Sequence, residues 1–392
     1  MPKLTLCFRI TSVIACSFLA MQGNLAQAEI AQPSEPEQTE EIKPEIENIA
    51  VPEEKEKDSE NPEPEETQPT QKKTFTLPQG GSCEGEFTAN FSGTGVCNYS
   101  NGDRYEGEFV SGKPEGTGVY LFASGDRYEG EFQQGKISGK GVREYKNGDR
   151  YEGEFVDNVP QGEGKYILAE GGGYEGSFVK GQPQGEGTFN YQNGDVCNGN
   201  VIEGQLQGKG ECNYANGDSY KGELKNGTPD GEGVYGFAEG GSYQGKFVDG
   251  QFQGQGIRIY TDGNRYEGEF VDGNPEGTGS LTFADGDTYV GEFSNGEFSG
   301  TGKYNFSNGN RYEGEFAGGL FQGQGTFIYE NGDRCSGIFT AGDLQGQAVC
   351  EYNNGDKYEG EFSNGDRNGQ GTYIFSDGEK LEGMWENGQL KN

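Results

Sequence analysis

The stretch Tyr105-Glu106-Gly107-Glu108-Phe109 decides the fold of this chain, because most of the later sequence repeats its pattern. The frame Tyr-x-Gly-x-Phe returns, with small variations, after 23 residues or a multiple of 23. Its further copies begin at Tyr128, Tyr151, Tyr174, Tyr220, Tyr243, Tyr266, Tyr289, Tyr312 and Tyr358. A fixed period of this length is typical of a repeat array, in which each unit is stabilised by its neighbours.

Each repeat is predicted to be one β-hairpin. Gly118, Tyr120 and Phe122 alternate with other residues, so they share one face of a first strand. The frame beginning at Tyr128 alternates in the same way and forms a second strand. The turn between such strands often reads Asn-Gly-Asp, as at 101–103, and Asn-Gly between alternating runs is a strong hairpin signal.

The predicted fold class is all-β, an elongated single-layer antiparallel meander of stacked 23-residue hairpins. No helical period appears in the sequence, so no second layer is expected to cover the sheet. One face carries Tyr, Phe and Gly, and the other carries carboxylates. The predicted structural aromatic ladder comprises Tyr105, Phe109, Tyr128, Phe132, Tyr151, Phe155, Tyr266, Phe270, Tyr312, Phe316, Tyr358 and Phe362.

The combination of Gly-x-Gly-x-aromatic with Asn-Gly-Asp-x-Tyr-x-Gly-x-Phe at this period resembles the MORN (membrane occupation and recognition nexus) repeat. The resemblance covers residues 74–392, as a partial N-terminal repeat and about 13 further repeats. It implies stacked β-hairpins that serve as a scaffold, a dimerisation device or a membrane-apposed element.

Residues 1–28 are predicted to be a cleaved export signal. Lys3 and Arg9 precede a mostly apolar run at 10–21, and Ala26-Gln27-Ala28 is a small-x-small cleavage site. The alternative is a lipoprotein box ending at Cys16. Either interpretation predicts an exported protein, periplasmic or extracellular.

Residues 29–73 are predicted to be an acidic, disordered linker rich in Pro and Glu. They contain few large apolar side chains before Thr74, so they cannot bury enough surface to offset the entropy of ordering. The whole chain carries a formal net charge of −35. That charge excludes nucleic acid as a partner and disfavours direct binding to anionic membranes, which leaves protein partners of unknown identity.

Six cysteines beyond the signal fall into three pairs: Cys83 with Cys97, Cys197 with Cys212, and Cys335 with Cys350. Each pair replaces two aromatic positions that ordinary repeats fill with residues such as Tyr105 and Tyr120. Paired replacement predicts contact across adjacent strands, and an exported chain favours disulfides. The alternative is three pairs of buried free thiols. The spacing does not suit a metal site, and the chain has no histidine.

No catalytic or cofactor site is predicted, because histidine and nucleophile motifs are absent. The evenly spaced carboxylates, such as Glu106 and Glu108, predict a solvated face or, alternatively, a row of weak calcium sites. Trp385 is interpreted as part of a terminal cap, with an exposed docking residue as the alternative. Two function classes remain: a non-enzymatic scaffold for protein interaction, and a surface that binds divalent cations, glycans or lipid head groups. Buried rings would favour the scaffold, and rows of exposed rings would favour glycan binding.

Overall fold

The computed structural model describes residues 70–391, and every regular element among them is a β-strand. The strands are β1 (Gln71–Thr76), β2 (Gly81–Phe87), β3 (Gly93–Tyr99), β4 (Arg104–Val110), β5 (Lys113–Leu121), β6 (Arg127–Gln133), β7 (Lys136–Glu144), β8 (Arg150–Val156), β9 (Val159–Ile167), β10 (Gly173–Val179), β11 (Gln182–Asn190), β12 (Val196–Ile202), β13 (Gln205–Asn213), β14 (Ser219–Lys225), β15 (Thr228–Gly236), β16 (Ser242–Val248), β17 (Gln251–Ile259), β18 (Arg265–Val271), β19 (Asn274–Thr282), β20 (Thr288–Ser294), β21 (Glu297–Asn305), β22 (Arg311–Ala317), β23 (Leu320–Ile328), β24 (Arg334–Thr340), β25 (Asp343–Glu351), β26 (Lys357–Ser363), β27 (Asp366–Ile374), β28 (Lys380–Glu386) and β29 (Gln389–Leu390). The predicted all-β class is confirmed. The predicted signal and most of the predicted linker lie outside the described residues, and β1 begins slightly before the predicted boundary at Thr74.

The described residues form two compact units, one of residues 70–215 with 224–227 and one of residues 216–223 with 228–391. In the first unit each strand from β1 to β13 pairs antiparallel with the next. The same holds from β15 to β29 in the second unit. Neighbours in sequence are therefore neighbours in the sheet, which confirms the antiparallel meander of 23-residue hairpin repeats.

Two kinds of turn connect the strands, and both close hairpins. The predicted turn at 101–103 joins β3 to β4, and the Tyr99 N–H donates across it to the Asp103 carbonyl. Between β4 and β5, Ser111 and Gly112 form a two-residue turn with φ values of 50° and 80°. Two successive positive φ values suit the right-handed twist of paired strands. Ser-Gly is a weaker hairpin signal than Asn-Gly, but other copies of this second turn do read Asn-Gly, as at 226–227 and 295–296.

A β-bulge follows the central glycine pair of the β4–β5 hairpin. Gly107 lies opposite Gly118, whereas the next residue, Glu108, lies opposite Glu115. The bulge leaves Thr117 without a facing residue on β4, and its N–H donates instead to the Glu108 carboxylate at 3.2 Å. The bulge therefore gives this glutamate a structural hydrogen bond beyond its contact with solvent.

The ring of each repeat lies against backbone where a side chain would not fit. A Cβ atom added at Gly118 would stand 2.5 Å from the Tyr105 ring, well inside van der Waals contact. The Tyr105 hydroxyl donates to the Glu108 carbonyl at 2.9 Å, so the buried phenol keeps a hydrogen-bond partner. The second glycine of the Gly-x-Gly motif is therefore required by the close approach of the ring.

The core is the row of rings on one face of the sheet. Tyr105 meets Phe109 of its own repeat at 5.0 Å between ring centroids, and Phe132 of the next at 4.9 Å. Both contacts are edge-to-face, a favourable geometry for aromatic pairs. Every member of the predicted ladder is at most 5% exposed: Tyr105, Phe109, Tyr128, Phe132, Tyr151, Phe155, Tyr266, Phe270, Tyr312, Phe316, Tyr358 and Phe362. The single-layer sheet thus obtains its core from rings shared between successive repeats.

Candidate functional site

The structure brings together each predicted cysteine pair. Cys83 lies directly opposite Cys97, Cys197 opposite Cys212, and Cys335 opposite Cys350, with the sulfurs at bonding distance. The Cα atoms of each pair are 4.0 Å apart. This is close to the short Cα spacing of non-hydrogen-bonded positions in antiparallel strands. The pairing inferred from the sequence is therefore the pairing that the strand register produces.

The carboxylates of the opposite face have protein partners. Glu106 accepts a hydrogen bond from Arg104 at 2.6 Å, and both side chains are more than one third exposed. Hydrogen bonds from the backbone and hydroxyl of Thr301 lower the pKa of Glu292. Within residues 70–391 no group of three or more Asp, Glu, Cys or His side chains could hold a metal ion. This arrangement is that of a solvated sheet face and does not favour the row of calcium sites.

A third set of residues was not predicted, and it links most repeats to the next. Asp103 ends the loop before β4, and one of its carboxylate oxygens accepts the Ala123 N–H at 2.7 Å. The other accepts the Tyr120 hydroxyl at 2.6 Å. We call the aspartate in this position the loop acid, and the residue 17 positions later the slot residue. The loop acids are Asp103, Asp126, Asp149, Asp195, Asp218, Asp287, Asp333 and Asp356.

The hydrogen bond between loop acid and slot tyrosine changes both groups. Burial and the hydrogen bond to Asp149 raise the pKa of Tyr166. The hydrogen bond from Tyr373 lowers the pKa of Asp356, which keeps that carboxylate ionised. The pair is thus a phenol held neutral beside a carboxylate held charged.

A signal for this pair exists in the sequence. Where the slot residue has no polar group, as at Leu281 and Phe327, the loop position holds Asn264 or Asn310 in place of Asp. The Asn264 side-chain oxygen still accepts the Ala284 N–H at 2.9 Å, so only the bond to the slot is lost. Correlation between positions 17 residues apart within one chain would have revealed the contact.

One slot holds an arginine in place of tyrosine. The Arg143 guanidinium donates to the Asp126 carboxylate from Nη2 at 2.6 Å and from Nε at 3.2 Å. Its central carbon is 4.9 Å from the ring centroid of Phe122 and 4.9 Å from that of Tyr145. The slot is therefore a gap between two aromatic rings of successive repeats, with the loop acid at its end.

A second slot arginine has no loop acid. Arg258 corresponds to Arg143 five repeats later, but Gly241 stands where Asp126 would be. The Arg258 side chain is 8% exposed, and its Nε and Nη1 atoms have no hydrogen-bond partner. Its guanidinium lies 3.6 Å from the Phe237 ring centroid and 5.4 Å from that of Tyr260. Burial lowers the pKa of Arg258 to about 10.

The rings that border these slots form a periodic row, which we call the loop-edge rings. Each is the residue immediately before a loop, and each is partly exposed. They are Tyr99, Phe122, Tyr145, Tyr191, Tyr214, Phe237, Tyr260, Phe283, Phe306, Tyr329, Tyr352 and Phe375, with Leu168 in the same position of one repeat. The loop-edge rings are the accessible margin of an aromatic face whose centre is buried.

Trp385 lies in the core and is 5% exposed. Its indole N–H donates to the Gly371 carbonyl at 3.1 Å, and its ring meets Tyr358 edge-to-face at 5.2 Å. The position matches that of the ladder phenylalanines. A docking role through an exposed tryptophan is therefore not supported.

The MORN repeat family model matches the chain in thirteen consecutive segments. They are residues 83–104, 105–127, 128–150, 151–173, 174–196, 197–219, 220–242, 243–265, 266–288, 289–311, 312–334, 335–357 and 358–380. No curated protein sequence matches the chain. The described part contains no helical segment with the length and hydropathy needed to span a bilayer.

Several solved structures show a remote likeness. The TCP domain of Drosophila melanogaster SAS-4, solved with a proline-rich motif of Ana2, is 15% identical with a TM-score of 0.27, over 40% of this chain and 86% of that one. The TCP10 domain of Danio rerio CPAP, solved with a STIL peptide, is 13% identical with a TM-score of 0.20, over 80% and 100%. A streptogramin B lyase is 13% identical with a TM-score of 0.12, over 80% and 83%. TM-scores this low carry no conclusion about function.

Proposed function

Because the chain belongs to the MORN repeat family, we propose that it is a non-catalytic scaffold, exported from the cell, that binds other proteins. The observation that carries the proposal is the burial of the aromatic ladder. Rings such as Tyr105 and Tyr128 are fully buried, so their role is to hold successive repeats together. A surface for stacking glycans would instead present rows of exposed rings, whereas the loop-edge rings are only partly exposed and most of them contact a slot residue such as Tyr120.

Export is supported by two independent features. Residues 1–28 have the charge order and the cleavage site of a signal, and three cysteine pairs lie at bonding distance. Disulfides persist in oxidising compartments outside the cytosol. In the proposed arrangement, the acidic segment between residue 29 and the start of β1 is a spacer that holds the array away from its point of exit.

Export is tested by the mass of the mature protein. We expect a chain that begins at Glu29 and has lost six hydrogens to three disulfides. Cysteine alkylation without reduction should therefore label none of the six paired residues. A mature chain that keeps Met1, or one that begins at a lipidated Cys16, would contradict cleavage after Ala28.

The scaffold role is tested by capture from the exported fraction. The full-length chain is cross-linked there, and partners are quantified by mass spectrometry against an unrelated exported protein of equal net charge. We expect specific enrichment of one or a few proteins over this control. Calorimetry with calcium, soluble glycans and phospholipid vesicles runs in parallel. Saturable binding of one of these ligands without any enriched protein would contradict the scaffold and favour a ligand-binding surface.

A further inference from the structure

Most gaps between successive loop-edge rings are filled by the slot residue. Tyr120 fills the gap between Tyr99 and Phe122, with ring centroids 6.2 Å and 4.6 Å from those neighbours. Two strands separate one repeat from the next, so the bordering rings stand roughly 9.6 Å apart. That spacing accommodates one flat group with a face against each ring.

The Arg143 slot shows what kind of ligand this gap binds. The planar guanidinium of Arg143 stands 4.9 Å from each bordering ring and donates twice to Asp126. Aromatic faces attract cations, and a carboxylate supplies a charge-assisted hydrogen bond. The protein therefore already contains one guanidinium that lies between two loop-edge rings and is hydrogen-bonded to a loop acid.

The slot between Tyr329 and Tyr352 lacks such an occupant. Its slot residue is Cys350, whose short side chain is 2% exposed and turned towards Cys335. No aromatic ring or guanidinium of the slot residue enters the gap. Both bordering tyrosines are partly exposed, so their rings can be reached from solvent.

The loop acid of this slot is in place. One oxygen of Asp333 accepts the Asn353 N–H at 2.8 Å, just as Asp126 accepts the Lys146 N–H at 3.0 Å. The other oxygen accepts only a bond from the Asn331 side chain at 2.9 Å. In the Arg143 slot the equivalent oxygen of the loop acid binds the guanidinium. Asp333 thus retains capacity for a cation that no slot residue supplies.

We propose that the gap between Tyr329 and Tyr352, ended by Asp333, binds the guanidinium of an arginine side chain from a partner protein. The inference rests on the proposed scaffold function and gives the partner a chemistry. The net charge of −35 favours a basic partner, because it attracts cations at long range. Cysteine in this slot would then have two effects, a cross-link beneath the rings and an opening between them.

The test is a titration of the full-length oxidised chain, carrying 13C-labelled tyrosine rings, with N-acetyl-arginine amide. We expect saturable NMR shifts at Tyr329 and Tyr352. N-acetyl-citrulline amide, which is neutral and of similar shape, should leave both signals unchanged. N-acetyl-lysine amide should bind more weakly, because an ammonium cannot place a flat face against each ring. Equal binding of citrulline or lysine would overturn the assignment to arginine, as would no saturable shift with arginine.

Two variants locate the site. Asp333→Asn should weaken arginine binding at Tyr329 and Tyr352 about tenfold, the loss expected for one charge-assisted hydrogen bond. The double variant Cys335→Tyr/Cys350→Tyr restores the pair of tyrosines that ordinary repeats carry, such as Tyr105 and Tyr120, and fills the gap. We expect it to keep its strand pairing and lose the site. Unchanged arginine binding in a folded double variant would contradict the proposal.

The outcome is separable from that of the capture experiment. If the array captures specific proteins while Tyr329 and Tyr352 do not respond to arginine, the scaffold stands and the slot proposal fails. If the slot binds arginine amide but no protein is enriched, the site stands and the scaffold role fails.

Discussion

Arg143 and Arg258 occupy the same position in repeats that lie five apart, yet only Arg143 has a loop acid. Asp126 gives the Arg143 guanidinium two hydrogen bonds, whereas Gly241 gives Arg258 none. Both cations lie against loop-edge rings. The difference shows that the rings alone accommodate a buried guanidinium, and that the loop acid decides whether its polar atoms are satisfied.

The comparison explains why the slot tolerates different residues. Phe189 and Leu281 fill slots whose loop positions hold Gly172 and Asn264, so these two apolar slots have no loop acid. Arg258 also lacks a loop acid although its side chain is polar. This arrangement is unfavourable, because a buried donor without a partner costs free energy. The matching sequences around the two arginines indicate duplication of a whole block, after which the loop acid is absent from one copy.

The largest effect on stability is expected from reduction of the disulfides, whose cysteines include the slot residues Cys97, Cys212 and Cys350. Reduction should lower the free energy of unfolding by about 3 kcal/mol for each bridge in the chain-entropy model. The fold should persist, because the aromatic contacts remain. Urea unfolding with and without reductant measures the loss. A link from Cys83 to any residue but Cys97, found by non-reducing peptide mapping, would show that the register is wrong.

Removal of the loop acid should make Arg143 resemble Arg258. Asp126→Ala leaves the Arg143 guanidinium without its carboxylate. The site is largely buried, since the side chains of Arg143 and Asp126 are 19% and 12% exposed. We expect a loss of about 3 kcal/mol in the free energy of unfolding, as for a broken buried ion pair. Asp126→Asn is the control, because it can keep the bond to the Lys146 N–H, and its loss should be smaller. Equal losses would mean that the bond to the Lys146 N–H contributes nothing, and no loss in Asp126→Asn would mean that the bond to Arg143 contributes nothing.

Removal of the unpaired arginine should stabilise the protein. Arg258→Phe reproduces the natural combination of Phe189 with Gly172 and eliminates two unsatisfied donors. We expect a gain of about 1–2 kcal/mol, the cost of leaving a buried polar group without a partner. Arg143→Phe is the matched control and should destabilise the protein, because it leaves the Asp126 carboxylate without its cationic partner. A loss of stability in Arg258→Phe would show that the guanidinium is satisfied in solution.

The smallest effect concerns the tyrosine beside each arginine. Burial raises the pKa of Tyr260 from 10.0 to about 12, and the charge of Arg258 holds it down. A folded pKa above the unfolded value gives stability that is present below pH 10 and lost as the pH rises through about 12. Arg258→Phe should raise the pKa of Tyr260 further, as read from its ring NMR signal. A pKa that falls in the variant would contradict this.

The sequence predicts the repeating parts of the molecule and misses what depends on long-range contacts. The period places the hairpins, and paired replacement at Cys335 and Cys350 identifies their register, because both follow from alternation on one face. The turn at Ser111 is missed because Ser-Gly is a weaker hairpin signal than the Asn-Gly of the equivalent turns at 226–227 and 295–296. The bond from Tyr120 to Asp103 is missed because it joins a loop to the following repeat.

The most direct test of the link between loop acid and slot residue is a double-mutant cycle of Asp126→Ala and Arg143→Leu in the full-length chain. Asp126→Ala combined with Arg258→Leu serves as the reference cycle, and its effects should add. For the first cycle we predict a coupling free energy of about 2 kcal/mol in urea unfolding. Two single effects that add within about 0.5 kcal/mol would contradict the role of the loop acid.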